Sequence, residues 1–249
     1  MRKQVSKRLA ETLICNVALN DGERLALDQV APEPFRSNCR RCPRLVDHLD
    51  NVRLEMPEYH CAPVATWGAR RARVLIVGLA PGLHGANRTG RPFTGDASGQ
   101  LLFSVLAETG FARQKGTSIR LRGCRITNAV RCLPPKNRPT GTELSRCRTY
   151  LAHDLDTLWS RAVRANRCVV ALGAMAYASV SRIVDIRQPF EHGASIDVDD
   201  RLRLIASFHP SRLNVNTGRI TRAMLTTIFR EVRDYVDESH DADGASAGG

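Results

Sequence analysis

Residues 73–109 read RVLIVGLAPGLHGANRTGRPFTGDASGQLLFSVLAET, and this stretch determines the expected fold. Arg73–Leu79 is an apolar run typical of a buried strand. Ser98–Thr109 has apolar residues at 101, 102, 105 and 106, which is the spacing of an amphipathic helix. A loop with six glycines, residues 78–99, connects the two. A strand, a loop and a helix in this order are the first half of a βαβ unit.

Similar strand and helix patterns continue toward the end of the chain. We predict strands at Cys124–Val130, Arg167–Leu172 and Arg201–Phe208, and helices at Thr142–Val163, Ala174–Arg182 and Thr217–Val236. Strands that alternate with helices form parallel sheets covered by helices. The expected fold is therefore α/β, with three α/β/α layers around a central, mostly parallel four-stranded sheet. Ligands of such sheets bind beyond the carboxyl ends of the strands.

Composition restricts the class of protein. The 249 residues are 43% hydrophobic and 25% charged, which are globular values. No apolar run of about 18 residues is present, so we expect no membrane span. Polar residues at 11, 16 and 20 interrupt the N-terminal apolar stretch, which argues against a secretory signal and favours a cytoplasmic protein. We expect a helical or irregular lead-in at 1–37, one domain at 38–237 and a disordered tail at 238–249.

The charge balance indicates a polyanionic partner. The chain has 37 Lys and Arg against 25 Asp and Glu, a net charge of +12. Nucleic acid is the common partner of so basic a protein. We expect five arginines near the predicted strand-end loops and the cysteines to neutralise phosphates, namely Arg40, Arg41, Arg131, Arg138 and Arg212.

The glycine-rich loop does not match the common nucleotide-binding motifs. Gly78, Gly82 and Gly85 lack the G-x-G-x-x-G spacing. Gly85 and Gly90 have the spacing of a P-loop, but Arg91 and a proline follow where that motif needs Lys and Ser or Thr. A nucleotide-dependent oxidoreductase is therefore disfavoured.

Two polar residues at predicted strand ends are candidates for chemistry. The amide of Asn128 can donate and accept hydrogen bonds at once, which suits the edge of a pyrimidine. His209 can donate to a developing anion. Taken singly, Asn128 is also a common turn residue and His209 could be a structural histidine. Their expected convergence at one edge of the sheet favours a functional site.

Four cysteines have a spacing that suggests a metal site. Cys39 and Cys42 form a C-x2-C pair, and Cys132 and Cys147 flank a proline-rich loop. A zinc ribbon would need a second pair. One pair with two single cysteines fits an iron–sulfur cluster and also permits zinc.

Three segments together resemble the uracil-DNA glycosylase superfamily, and specifically its family 5, the B-type enzymes. They are GLAPGLHGANRTGRPFTGDASG (78–99), ITNAVRC (126–132) and HPSRLN (209–214), and the resemblance extends over about residues 38–236. The four cysteines match the 4Fe-4S ligands of families 4 and 5. Family 4 has a Glu in its GEGPG form of the first motif, whereas this chain has Ala80 in that stretch and the longer HGANRTG insertion.

The resemblance implies a role for each matching residue. Phe93 would stack on the flipped base in a pocket that includes Gly78 and Ala80, and Asn128 would bind the uracil edge. His209 would stabilise negative charge on the uracil carbonyl oxygen. Leu213 would fill the gap in the DNA helix, and Ser211 would contact the flanking phosphate. The implied partner is uracil-containing DNA, single- or double-stranded, and we expect a monomer.

Ala80 leaves the attacking water without the polar residue that many relatives use. We predict that Asn87 orients this water, in preference to Asp96, which precedes a helix and is a natural cap. Membership of family 5 would add hypoxanthine, ethenocytosine and hydroxymethyluracil to the substrates. No lysine lies in the strand-end motifs, so we expect no β-lyase step. The alternatives are family 4-like restriction to uracil and a non-catalytic iron–sulfur protein that binds DNA.

Overall fold

A central sheet organises the part of the chain described by the computed structural model, residues 32–116, 118–161 and 165–238. The expected lead-in up to residue 31 and the expected tail from residue 239 lie outside these ranges. The helices and strands are, in chain order, α1 (Pro43–Glu55), β1 (Trp67–Gly68), β2 (Val74–Gly78), α2 (Ala86–Thr89), α3 (Ala97–Glu108), β3 (Ala112–Lys115), β4 (Ser118–Leu121), β5 (Cys124–Asn128), α4 (Gly141–Arg161), β6 (Arg167–Leu172), α5 (Ala174–Ser181), β7 (Ser195–Asp199), β8 (Leu202–Ser207), α6 (Arg212–Asn216) and α7 (Arg222–Asp237).

The sheet has the strand order β1-β5-β2-β6-β8-β7. The four central strands β5, β2, β6 and β8 are parallel and are the four strands expected from the sequence. Two short antiparallel strands, β1 and β7, extend the sheet at its edges, so it has six strands rather than four. They lack a strand signal because β1 has two residues and β7 has alternating exposed and half-buried residues.

Helices cover both faces of the sheet, which confirms the three-layer architecture. Neighbouring residues of a strand point to opposite faces. Ile76 packs on one side in a cluster with Phe229 of α7, and Val77 packs on the other with Leu155 of α4. The full burial of β2 and β6 fits their position inside a parallel sheet.

Capping residues set the helix starts. Before α4, Thr140 Oγ1 accepts from the Glu143 N–H and Glu143 Oε2 accepts from the Thr140 N–H, which is a capping box. Thr221 accepts from the Met224 N–H at the start of α7. The predicted helix at 217–236 corresponds to α7, which begins only at Arg222, because Gly218 has a φ of 69° and Thr221 is the N-cap. The short helix α6 before it was not predicted.

The packed domain begins before residue 38, several residues earlier than expected. The Glu33 N–H donates to the Thr149 carbonyl at 3.2 Å, and the Phe35 ring contacts the Tyr150 ring edge-on at 5.5 Å. Helix α1 and the β3–β4 hairpin are further elements that the sequence patterns did not predict. Among the described residues, no helix is long and apolar enough to cross a membrane.

Candidate active site

Three predicted site residues meet where β2 and β5 end. Gly78 and Asn128 are paired across these parallel strands, and the Asn128 side chain is buried. A Cβ on Gly78 would lie 2.5 Å from Asn128 Oδ1 and 2.7 Å from the Phe93 ring. Both distances are shorter than van der Waals contact. Glycine at 78 is therefore required for the amide and the ring to approach the end of β2.

Phe93 has an unusual backbone conformation. Its φ is +55°, which costs free energy in a residue with a side chain. Its carbonyl group lies against Gly99 so closely that a Cβ there would overlap the Phe93 oxygen. The Phe93 ring stacks on the His209 imidazole, with 5.5 Å between centroids and an interplanar angle of 29°. The glycine-rich loop thus brings an aromatic ring from the β2 side next to a histidine from the β8 side.

His209 follows β8 in a largely enclosed position. Burial lowers the pKa of this imidazole, and the charge of Asp96 opposes part of that decrease. Gly173 follows β6 with a φ of 98°, and a Cβ on it would lie 3.4 Å from the His209 Cβ. A neutral imidazole in this position can still donate one N–H to an acceptor.

A second histidine supports the strand end that carries His209. His192 Nδ1 accepts from the Phe208 N–H at 3.1 Å, and the His192 ring stacks on the Phe208 ring at 4.9 Å. Accepting through Nδ1 requires the neutral ring, and burial lowers the pKa of His192. This role was not predicted, because His192 lies outside the strand-end motifs.

Helix α6 carries the predicted contacts to DNA. Ser211 is its N-cap and accepts from the Asn214 N–H, so the hydroxyl proton remains available to a phosphate. Asn214 Nδ2 donates to the His209 carbonyl at 2.8 Å, which joins the helix to the site. Leu213 is 71% exposed, so its side chain is free to enter another molecule.

Ala80 and Asn87 lie on the inner side of the glycine-rich loop. Ala80 is half-buried against the cluster that contains Cys61. Asn87 is fully buried, its Nδ2 lies 3.6 Å from the Cys61 sulfur, and its Oδ1 has no hydrogen-bond partner within the described part of the chain. A buried carbonyl oxygen without a partner is one that a water molecule can satisfy. The water-orienting role of Asn87 remains a prediction.

The four predicted cysteine ligands line one cavity between α1, α4 and the loop after β5, namely Cys39, Cys42, Cys132 and Cys147. The Arg131 N–H donates to Cys147 Sγ at 3.4 Å. Burial raises the pKa of Cys147 to about 11 and also raises that of Cys132. In the described ranges, no three His, Cys, Asp or Glu side chains are arranged to hold a single metal ion.

Arg131 is buried, contrary to the expectation that it neutralises DNA phosphates. It is 1% exposed and forms an ion pair with Asp154. Asp154 also accepts from the hydroxyls of Thr66 and Thr127, at 2.6 and 2.9 Å. Burial opposes ionisation of Asp154, but Arg131 and these hydroxyls together lower its pKa. This network holds Thr127, the residue before Asn128, in place. It was not predicted, because an Arg beside a predicted cysteine ligand suggested a surface contact.

The other four arginines divide into two pairs. Arg40 and Arg41 form ion pairs with Asp50 and Glu33, so part of their charge is already neutralised. Arg138 and Arg212 are exposed and form no ion pair within the ranges given above. These two match the expected phosphate contacts best.

Comparison with known proteins agrees with this geometry. The family model described as the uracil DNA glycosylase superfamily matches residues 65–233, which include both strand-end motifs and the glycine-rich loop. The chain belongs to the uracil DNA glycosylase superfamily. Within this superfamily, it is 43% identical to the type-5 uracil-DNA glycosylase of Pyrobaculum aerophilum over 203 residues, 78% of this chain and 87% of the relative.

Two further members of the superfamily differ in their sequence identity to this chain. The type-5 uracil-DNA glycosylase of Thermus thermophilus is 41% identical over 207 residues, 78% of this chain and 92% of its own length. The type-4 uracil-DNA glycosylase of Thermotoga maritima is 29% identical over 199 residues, 80% of this chain and 89% of its own. The greater identity to type-5 members agrees with the family 5 features of the first motif.

Proposed function

We propose that this chain is a DNA repair enzyme that removes uracil from DNA by hydrolysing the N-glycosidic bond and leaves an abasic site. The approach of Asn128 and Phe93 at Gly78, with His209 stacked on the Phe93 ring, carries the proposal. The type-5 relatives are named for this activity. A stacking ring, an edge-reading amide and a donor to an anion are the groups that base excision requires.

Binding the flipped base offsets the cost of removing it from the duplex. Unstacking and unpairing a base cost a few kcal/mol. Stacking on Phe93 and hydrogen bonds from Asn128 recover part of this free energy, and Leu213 fills the space left in the helix. Exposed Leu213 lies on α6, which follows β8, and buried Phe93 lies in the loop after β2. The same end of the sheet therefore carries both the residue for the gap and the residue for the base.

The reaction depends on stabilising the leaving group. As the bond between the sugar and the base breaks, its electron pair moves onto uracil, which leaves as an anion. The neutral His209 imidazole and the Asn128 amide donate to that anion, and preorganised donors of this kind supply a large share of rate enhancement. The oxygen of water then bonds to the sugar carbon, and the proton it releases passes to solvent.

We propose that Asn87 orients this water through its Oδ1, which lacks a partner among the described residues. We expect Asn87→Ala to reduce the single-turnover excision rate by about 10-fold, less than the roughly 100-fold or more of a general base, because Asn87 orients the water without taking its proton. Asn87→Asp retains an acceptor and should recover part of the rate. An Asn87→Ala protein that folds and excises uracil at the wild-type rate would show that this role is wrong.

We propose that the four cysteines hold a 4Fe-4S cluster, with zinc as the less favoured alternative. The four cysteines share one cavity. Their spacing, one C-x2-C pair with two single cysteines, fits iron–sulfur ligands and lacks the second pair of a zinc ribbon, which favours a cluster over zinc. When bound, the cluster would supply iron–thiolate bonds that cross-link α1, α4 and the loop after β5. A broad visible absorbance that is lost on chelation would support iron–sulfur, and stoichiometric zinc without absorbance would support the alternative.

The small Ala80 side chain supports a wider substrate range than uracil alone. We propose excision of hypoxanthine and of other deaminated or damaged bases, because no polar side chain at Ala80 restricts the base edge. Hypoxanthine release from a defined duplex would distinguish this behaviour from family 4-like restriction to uracil. The strand-end motifs contain no lysine that could form a Schiff base with the sugar, which supports a reaction that ends at the abasic site.

One assay tests the enzyme directly. The purified protein is incubated with a labelled duplex that contains one uracil, and alkali then cleaves any abasic site. We expect strand scission only after alkali. Binding with steep salt dependence but without scission would favour the alternative of a non-catalytic DNA-binding protein.

A further inference from the structure

The β3–β4 hairpin carries a concentration of positive charge. Residues 110–125, which include the hairpin, contain five Lys and Arg and no acid. Arg113 lies directly opposite Arg120 in the antiparallel pairing, and Lys115 lies two residues from Arg113 on the same face. All three side chains are exposed, whereas Leu121 on the other face is buried. The outer face of the hairpin is therefore a row of cations.

This arrangement works against the stability of the free hairpin. Like charges directly opposite each other on neighbouring strands repel and destabilise the pairing. Within the described part of the chain, Arg113, Lys115 and Arg120 form no ion pair that would offset the repulsion. A polyanion bound to this face would remove it.

The neighbouring carboxylates are already engaged by other arginines. Glu108 at the end of α3 forms ion pairs with Arg222 and Arg230 of α7. Asp237 at the end of α7 forms an ion pair with Arg73, which precedes β2. The charge on the outer face of the hairpin is therefore available to a partner from outside the chain.

Two further arginines adjoin the hairpin. Arg70 and Arg71 lie in an exposed turn between β1 and β2. The Ala69 N–H donates to the Cys124 carbonyl at 2.9 Å, which holds this turn next to the end of the hairpin. Arg122 is exposed just after β4. We call these cations together the basic hairpin surface, namely Arg70, Arg71, Arg113, Lys115, Arg120 and Arg122.

The basic hairpin surface lies at the end of the sheet opposite to the candidate site. The Gly123 carbonyl, just after β4, accepts from the N–H groups of Arg73 and Val74 at 2.9 and 3.1 Å, where β2 begins. The candidate site lies where β2 ends. Helix α3 runs from one end to the other, and its 12 residues span about 18 Å.

We propose that the basic hairpin surface is a second DNA-binding surface, which holds the phosphate backbone of a duplex segment other than the one in the candidate site. The inference rests on the proposed function in one respect, namely that DNA is the polyanion that this protein meets. A two-stranded β-ribbon fits the major groove of B-DNA, and Lys and Arg neutralise phosphates without reading the base sequence. Because the two surfaces are a helix length apart, one molecule can hold a substrate strand and a second duplex at once.

The test removes charge and leaves the strand pairing in place. Arg113→Gln/Arg120→Gln relieves the opposed pair, so its melting temperature should be equal to or above that of the wild type. Lys115→Gln/Arg122→Gln removes two cations and keeps the opposed pair. Because the two variants change different positions, the second still decides if the first fails to fold.

Arg182→Gln/Arg187→Gln is the matched control, because it removes the same charge elsewhere. Both arginines are exposed. The segment that carries them packs through Ile183 and Ile186 on one face of the sheet, whereas Leu121 of the hairpin belongs to the cluster on the other face.

The binding assay isolates the second surface. The protein is first saturated with a short, labelled single-stranded oligonucleotide that contains an abasic-site analogue and occupies the candidate site. A duplex without uracil and with a different fluorophore is then titrated at several salt concentrations. We expect the wild type and the control to bind this duplex with equal salt dependence while the oligonucleotide stays bound. For each hairpin variant, the slope of log K against log salt should be shallower by about 2, or about 1 for each cation removed.

Three results would overturn the inference. The first is an equal salt slope for the wild type and both hairpin variants. The second is displacement of the oligonucleotide by the duplex, since the two would then share one site. The third is a loss of affinity in the hairpin variants for RNA or for a poly-glutamate peptide but not for the duplex. Absence of uracil excision by the wild type would instead refute the proposed function, and the titration with uracil-free duplex would still report on the hairpin.

Discussion

Single residues determine how closely the groups of the site approach one another. Gly78 allows Asn128 and Phe93 to meet, and Gly99 admits the Phe93 carbonyl group. The positive φ of Phe93 is maintained because the surrounding backbone is packed against it. The geometry of the candidate site thus depends on glycines, which lack a side chain, as much as on the polar groups themselves.

Gly78→Ala tests this dependence. The added Cβ would overlap the Asn128 amide and the Phe93 ring, so we expect excision to fall by about 100-fold, as for loss of a preorganised donor. Gly141→Ala is the control, because a Cβ there meets no described atom within 4 Å. Equal single-turnover rates for the two alanine variants would contradict the proposed pocket.

The sequence identified the polar residues of the candidate site but not the residues that hold them in place. Asn128 and His209 were recognisable because they follow apolar strand runs. His192 and Asp154 were not recognisable. His192 contacts the Phe208 N–H and Asp154 contacts Arg131, and both contacts form only after distant segments pack together. Spacing along a chain contains little information about such contacts.

At the level of elements, the strands and helices were largely predictable where burial is continuous. Strand β6 has the predicted bounds, and the other three parallel strands differ only at their ends. The edge strands and the β3–β4 hairpin were missed because exposed strands lack an apolar run. The start of α7 was predicted five residues too early, because the capping signal of Thr221 and the turn signal of Gly218 are weaker than the helical pattern that follows them.

Helix α6 offers a test of the proposed wedge. We expect Leu213→Ala to reduce uracil excision from a duplex by about 10-fold, because the gap left by a flipped base would be filled poorly. Excision from single-stranded DNA should change little, since no stack has to be held open.

Val215→Ala is the matched control for the wedge. Val215 is an exposed apolar residue on the same helix, at 41% exposure. The wedge is wrong if Leu213→Ala slows both substrates equally or if Val215→Ala reproduces its effect on the duplex.

Buried titratable groups link the stability of the whole molecule to pH. Burial lowers the pKa of His192 and of His209, with Asp96 opposing the shift at His209. An unfolded histidine titrates near about 6.5. Below about pH 6.5 the unfolded chain therefore binds more protons than the folded one, and the free energy of unfolding decreases as the pH falls.

Urea unfolding between about pH 8 and pH 5 measures this dependence. We expect a plateau above about pH 7 and a decline below it, and we expect His192→Phe to decline less steeply. Asp154, with its lowered pKa, adds a further loss only at more acidic pH. A free energy of unfolding that stays constant down to about pH 5 would contradict the neutral, buried imidazoles.

The exposure of Leu213 has a consequence for the temperature dependence of DNA binding. This side chain loses its contact with water if it enters the base stack, and burial of apolar surface lowers the heat capacity. Contacts between arginines and phosphates weaken as salt is added, whereas the leucine contribution does not. Binding to an opened duplex should therefore include a part that persists at high ionic strength and strengthens as the solution is warmed from the cold.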